Sequence, residues 1–96
     1  MKAVLIIHNK AVSEQVLYIL EKLDIKGFTK WDTVYGQGYQ GEPRMGTHTW
    51  PEENSAVICI INDSMVEPLK NAVSYLDNAN TDVGVKAFIW EANYLF

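Results

Sequence analysis

Three glycines within six residues, in Gly36-Gln37-Gly38-Tyr39-Gln40-Gly41, form the segment of this 96-residue chain best suited to meeting a ligand. Glycine lets the backbone take positive φ and lets a bound group approach closely, so such a turn can aim amides at an anion. It is not a dinucleotide fingerprint, because no helical pattern follows and no βαβ crossover unit surrounds it. On these residues alone it reads as a ligand turn or as a flexible hinge. Two histidines could hold a metal. His8 ends the first apolar run, and His48 lies in Gly46-Thr47-His48-Thr49-Trp50-Pro51 with Glu42, Glu52 and Glu53 near it in sequence. Their spacing matches no metal signature, which favours a structural or solvent-facing histidine over a ligand. Cys59 stands inside an apolar run with no neighbouring cation to lower its pKa, so it reads as a small buried hydrophobe rather than a nucleophile. Ser13, Ser55, Ser64 and Ser74 lie in no nucleophile-elbow context. Trp31, Trp50 and Trp90 read as core or interface aromatics.

Composition narrows the classes further. Twelve acidic against eight basic residues give a formal net charge of −4, which argues against a phosphate-backbone or single-stranded nucleic-acid binder. One cysteine allows no internal disulfide, and the chain has no CxxC pair. The longest apolar run, Ala56 to Ile61, is far short of the about 20 residues a membrane span needs. The N-terminal apolar stretch is too short for a secretory signal. The expectation is one soluble, cytoplasmic domain over residues 1–96, marginal as a monomer because so short a chain buries only about 60% of its unfolded surface.

The elements that must position these residues follow from periodicity. Residues 3–7 are apolar and β-branched and read as a buried strand. From 11 to 24, Val12, Val16, Leu20 and Leu23 form one stripe of an amphipathic helix, with Gly27 as the break. Residues 28–35 alternate aromatic and β-branched side chains with charges, a half-exposed strand. Residues 36–54 hold four of the six glycines and two of the three prolines without helical or strand period. A loop of that length in a small domain is usually functional or disordered. Residues 55–61 form a second continuous apolar strand. Ser64-Met65-Val66-Glu67 has capping-box spacing and predicts a helix start, with Pro68 in its first turn and Val66, Leu69, Val73 and Leu76 as its stripe. Asn78, Asn80 and Gly84 mark a turn before a last strand at 85–90.

The order β-α-β-β-α-β predicts an α+β, ferredoxin-like fold: a four-stranded antiparallel sheet with both helices on one face. The strands at 3–7 and 55–61 are apolar on both faces, so something must cover the face opposite the helices. With no residues to spare in the chain, another subunit is the expected cover.

The chain resembles the PII-like signal-transduction family. The resemblance rests on the element order, the Met1-Lys2 start, Gly27-Phe28-Thr29 opening the second strand, and Val34-Tyr35-Gly36-Gln37-Gly38-Tyr39-Gln40-Gly41 opening the long loop. It implies a homotrimer whose sheets face each other. It also implies an adenine nucleotide in clefts between subunits, and a T-loop (here 36–54) that reports occupancy to a partner protein, a transporter or an enzyme. On that resemblance Gly27 and Thr29 approach the adenine, Gly36 and Gly38 form the T-loop base, and Gln40 helps hold magnesium. Gly84 and Lys86 correspond to the glycine-rich loop before the last strand. Arg44 and Trp50 are the expected partner contacts.

The chain also departs from the family. Tyr39 replaces an expected arginine, and Asn54-Ser55 stand where a lysine is expected. Each lost charge-assisted hydrogen bond is worth about 1.5–3 kcal/mol. The architecture therefore matches better than the phosphate chemistry, and the ligand is different or less charged, or nucleotide sensing is lost. Two alternatives stay open: a divalent-metal-binding trimer of the cation-tolerance type using His48 or a loop carboxylate, and a small ferredoxin-like enzyme.

Overall fold

The computed structural model describes residues 1–39, 41–80 and 83–96. Its elements are β1 (Lys2–Asn9), α1 (Ser13–Lys22), β2 (Phe28–Val34), β3 (Gly36–Gln37), β4 (Pro43–Arg44), β5 (Asn54–Ile61), α2 (Val66–Ala79) and β6 (Val85–Glu91). The four long strands form one antiparallel sheet in the order β2-β5-β1-β6, while β3 and β4 pair separately as a short ribbon. This is the ferredoxin-like α+β arrangement that the element order predicts.

The core lies between the helices and one sheet face. Val12, Val16 and Leu20 on the first helical segment and Leu69, Val73 and Leu76 on α2 are buried against Val4 and Ile6 of β1 and Val57, Cys59 and Ile61 of β5. Each such side chain contributes about 1.5–3 kcal/mol by leaving water. Both helical stripes fall where the 3.6-residue period places them.

The helix ends differ from expectation in instructive ways. A 3₁₀ turn, Lys10–Val12, precedes α1, and the Asn9 side chain caps it by accepting from the Ala11 N–H at 2.9 Å. The C-terminus of α1 is closed by Asp24, not by Gly27. Asp24 adopts the left-handed conformation (φ 57°), its N–H donates to the Glu21 carbonyl, and the Ile25 N–H reaches back to Leu20 at 2.8 Å. That is a Schellman closure with buried Ile25 as its hydrophobic seal. The capping box at Ser64 does not form. Asp63–Met65 is a 3₁₀ turn closed by the Met65 N–H on the Asn62 carbonyl, and α2 begins at Val66 with no side-chain cap. Pro68 does fall in the first turn of α2, where its missing N–H is harmless.

Residues 36–54 also carry more structure than their composition suggests. Gly36 pairs with Arg44 and Gln37 with Pro43. The return limb is closed by the Gly46 N–H on Glu52 and the Thr47 N–H on Trp50. Strands of two residues are too short to show a period, which is why the pattern is silent about them.

Among the described residues, nothing covers the opposite sheet face. Leu5, Ile7 and Ile58 are half-buried there. Trp31, Ile60, Phe88 and Trp90 are 47, 44, 53 and 46% exposed. Cross-strand partners share a face, and the register sets Phe88 beside Leu5, Trp90 beside Ala3, and Trp31 beside Ala56. This is a continuous apolar surface of the kind that marks an interaction site.

Candidate functional site

A cleft of about 630 Å³ opens on that uncovered face, at the end where the ribbon joins the sheet. Four strands supply its floor: Leu5 and Ile7 from β1, Asn54 and Ala56 from β5, Trp31 and Val34 from β2, and Lys86 and Phe88 from β6. Its rim is Tyr35, Gly36, Gln37 and Gly38 on one side and Glu42 and Arg44 on the other, with Gly84 closing it. The size is within the usual range of about 300–1,000 Å³ for small-molecule sites, and the mix of apolar floor and convergent polar rim is typical of them.

Gly84 shapes one wall. It takes φ +62°, a conformation that L side chains rarely adopt, and so turns the chain into β6. Its carbonyl accepts from the Asn9 N–H at 3.2 Å, and the following Val85 N–H donates to Asp77 Oδ1 at 3.2 Å. The absence of a side chain there makes room for Arg44. The Arg44 guanidinium lies against the Gly84 Cα and donates through Nη1 to Asn54 Oδ1 at 2.9 Å. Among the described residues it has no carboxylate within ion-pair distance. Arg44 and Lys86 against Glu42 leave the lining with a net positive charge.

The root of the loop is fixed by a second set of contacts. Lys10 Nζ donates to Thr33 Oγ1 at 2.7 Å and sits 3.3 Å from Asp32 and 3.7 Å from Glu53. Hydrogen bonds from Lys30 and Lys10 hold the Asp32 carboxyl below its ordinary pKa, and the Asp32 partner raises Lys10. Asn9 Nδ2 donates to Glu52 and Tyr35 Oη to Glu53.

Beneath the loop root runs a partly buried polar chain that sequence reasoning missed. The Ser13 hydroxyl donates to Ser55 Oγ at 2.9 Å, and Ser55 donates to the Asp32 carbonyl. Ser13 therefore accepts from His8, which assigns the proton of that neutral imidazole to Nε2 at 3.2 Å. His8 is 1% exposed, and burial pushes its pKa below 6.5. Its Nδ1 lacks a hydrogen-bond partner among the described residues.

Of the residues singled out in the sequence, Gly36, Gly38, Arg44, Gly84 and Lys86 come together in the cleft. Gly27 lies elsewhere, in a shallow depression with Asp24, Ile60 and Ser64. Thr29 is exposed on the open face of β2 opposite Ile58. Trp50 and His48 lie in the exposed return limb of the loop. No three His, Cys, Asp or Glu side chains converge as a metal site would require among the described residues. Gln40 lies outside the described residues. Asn54, Trp31 and Phe88 line the cleft without having been singled out for it. A smaller apolar groove of about 370 Å³ runs between α2 and β6, and the one carboxylate in it, Asp77, already accepts the Val85 N–H.

Residues 1–94 match the family described as nitrogen regulatory protein P-II. The chain belongs to that family. P-II family proteins are regulatory proteins as a class. Among solved structures, the chain resembles CPII, a nitrogen regulatory PII-like protein from Thiomonas intermedia K12. In its complex with ADP, AMP and bicarbonate the TM-score is 0.72 at 21% identity, covering 93% of this chain and 84% of that one. The apo form of the same protein gives 0.67 at 18% identity, covering 93% and 87%. A PII-like signalling protein from Thermus thermophilus gives 0.62 at 19% identity, covering 93% and 83%. No curated protein matches. At these identities the structural likeness supports the P-II fold and nothing finer. No helix among the described residues is long and apolar enough to cross a membrane.

Proposed function

We propose that this P-II family protein is a non-enzymatic regulator whose cleft beside the β3–β4 ribbon binds an adenine nucleotide of low charge. The observation that carries this reading is the composition of the cleft. Trp31, Tyr35 and Phe88 offer flat aromatic surface for a base, while Arg44, Lys86 and the glycine turns offer donors for a short phosphate chain. Two cations, on a lining that also carries Glu42, suit a mono- or diphosphate better than a triphosphate. The PII-like protein from Thiomonas intermedia K12 was solved with ADP, AMP and bicarbonate, which is the same order of ligand charge.

The uncovered sheet face supports a homotrimer packed through its sheets, with the cleft completed by a neighbouring subunit. Among the described residues, nothing covers the exposed Trp90 and Ile60. The loop at 36–54, with Trp50 on its return limb, would then present the state of the cleft to a partner protein. Such a switch works by population shift, the ligand favouring one loop arrangement through differential affinity.

Calorimetry of AMP, ADP and ATP on the full chain tests the ligand reading. The expected order is ADP or AMP tighter than ATP. Absence of binding by all three overturns it.

A further inference from the structure

Arg44 reaches the cleft from the loop, not from the sheet floor. It sits in β4 opposite Gly36, and its guanidinium spans the gap to Asn54 on β5 and to the Gly84 turn before β6. One side chain thereby bonds the ribbon to β5 and packs it against the turn that leads into β6. Arginine carries five N–H donors and recognises planar or tetrahedral oxyanions through paired bonds. Among the described residues, the side chain makes one hydrogen bond, to a neutral amide, and has no counter-charge. An oxyanion is a stronger acceptor for it than the Asn54 carbonyl. The ribbon itself is two residues long on each side, and the backbone bonds just after β4, Met45 to Trp50 and Gly46 to Glu52, run within the loop rather than to the sheet.

We propose that Arg44 is a latch with two positions: on Asn54 and Gly84 it holds the ribbon against the sheet, and an oxyanion entering the cleft takes the guanidinium and frees the ribbon. The ligand chemistry is the oxyanion, either a nucleotide phosphate or free bicarbonate. The latch rests on the reading of the cleft as an anion site and adds how occupancy reaches the loop. The anion and Asn54 compete for the same donors. Removing Asn54 therefore favours ligand, and removing the Arg44 charge disfavours it.

The test uses calorimetry on the full chain with ADP, with sodium bicarbonate and with both, alongside hydrogen exchange at the Gly36, Gln37 and Arg44 amides. The variants are Arg44→Gln, Arg44→Lys and Asn54→Ala. The expected result is about tenfold weaker binding for Arg44→Gln, partial rescue by Arg44→Lys, and severalfold tighter binding for Asn54→Ala. Ligand should also raise exchange at the ribbon amides of the wild type by about tenfold, and Asn54→Ala should do so without ligand. Comparing the ADP and bicarbonate arms identifies which anion works the latch. If ADP binds and Arg44→Gln binds it equally well, the latch is wrong while the nucleotide reading stands. If Asn54→Ala and Arg44→Gln both weaken binding, or ligand leaves ribbon exchange unchanged, Arg44 is a fixed contact and the latch is wrong. If neither anion binds wild type, both readings fall.

Discussion

A methyl group on Gly84 would come within 2.9 Å of Arg44 Nη2 and 3.3 Å of Nη1. The loop before β6 and the ribbon therefore share one small space, and Gly84 serves both its own left-handed backbone and its neighbour's guanidinium. Gly84→Ala should cost about 1–2 kcal/mol from the positive φ alone. It should also push Arg44 off Asn54. Urea denaturation at a fixed protomer concentration reads the first effect, and exchange at the Arg44 amide the second.

The same logic separates two glycines of the loop. A Cβ on Gly46 (φ +64°) would meet Glu53 Oε2 and Tyr35 Cε1, both at 2.8 Å, whereas one on Gly41 would meet nothing within 4 Å. Gly46→Ala is expected to lose about 1–2 kcal/mol or to melt the return limb locally. Gly41→Ala should stay within about 0.5 kcal/mol of wild type. Denaturation curves and limited proteolysis of the loop distinguish the two.

His8 should make folding sensitive to mild acid. Burial, with a smaller contribution from Lys30, lowers its pKa from 6.5 in the folded state. Above that value both states are neutral and His8 contributes no slope. Below it the unfolded chain binds a proton that the folded chain refuses, so stability falls as pH drops towards the lower folded pKa. The slope approaches, and cannot exceed, about 1.4 kcal/mol per pH unit. His8→Gln, which keeps a donor for Ser13, should flatten the profile between pH 7 and 5. Asp32, whose pKa is lowered, loses its contribution separately, as pH falls through the carboxylate range below 3.8.

The exposed apolar face predicts the oligomeric state. Ile60→Asp and Trp90→Asp change side chains that are 44 and 46% exposed within the chain, so each subunit should still fold. A charge placed in a sheet-to-sheet contact should dissociate the assembly, because an unpaired buried charge costs several kcal/mol. Light scattering should give a trimer mass for wild type and a monomer mass for the variants, with unchanged far-ultraviolet circular dichroism. A monomeric wild type at low micromolar concentration would overturn the trimer.

Cys59 should be silent until the protein opens. It is 2% exposed, and burial pushes its thiol pKa up. A disulfide reagent should leave it unmodified under native conditions and titrate one thiol per chain in urea.

The sequence carries the fold wherever long periods exist. Val12, Val16 and Leu20, like Leu69, Val73 and Leu76, declare their helices because a stripe repeated three times is hard to produce otherwise. Ala56–Ile61 declares a strand apolar on both faces, and from that alone the uncovered surface follows. Local signals fared less well. Ser64 and Glu67 have capping spacing, yet Ser64 lies inside the Asp63–Met65 turn and α2 begins only at Val66. Gly27 looks like a helix stop, but Asp24 already bends the chain. At the site, the closely spaced glycines mark the ribbon side of the cleft. Asn54 and the inward place of Arg44 were illegible, because a two-residue ribbon has no period and its register alone brings residue 44 back beside residues 54 and 84.

The two ends of the loop are pinned at one root. Its return limb is held at Glu52 and Glu53 by Asn9, Lys10 and Tyr35, and its outgoing end at Asp32 and Thr33 by the same Lys10. Such a segment behaves as a lever with its fulcrum at that shared root. A sub-ångström change where Arg44 meets Asn54 would be magnified with distance from that fulcrum, so the residues farthest from the cleft would travel most while those that sense the ligand barely move.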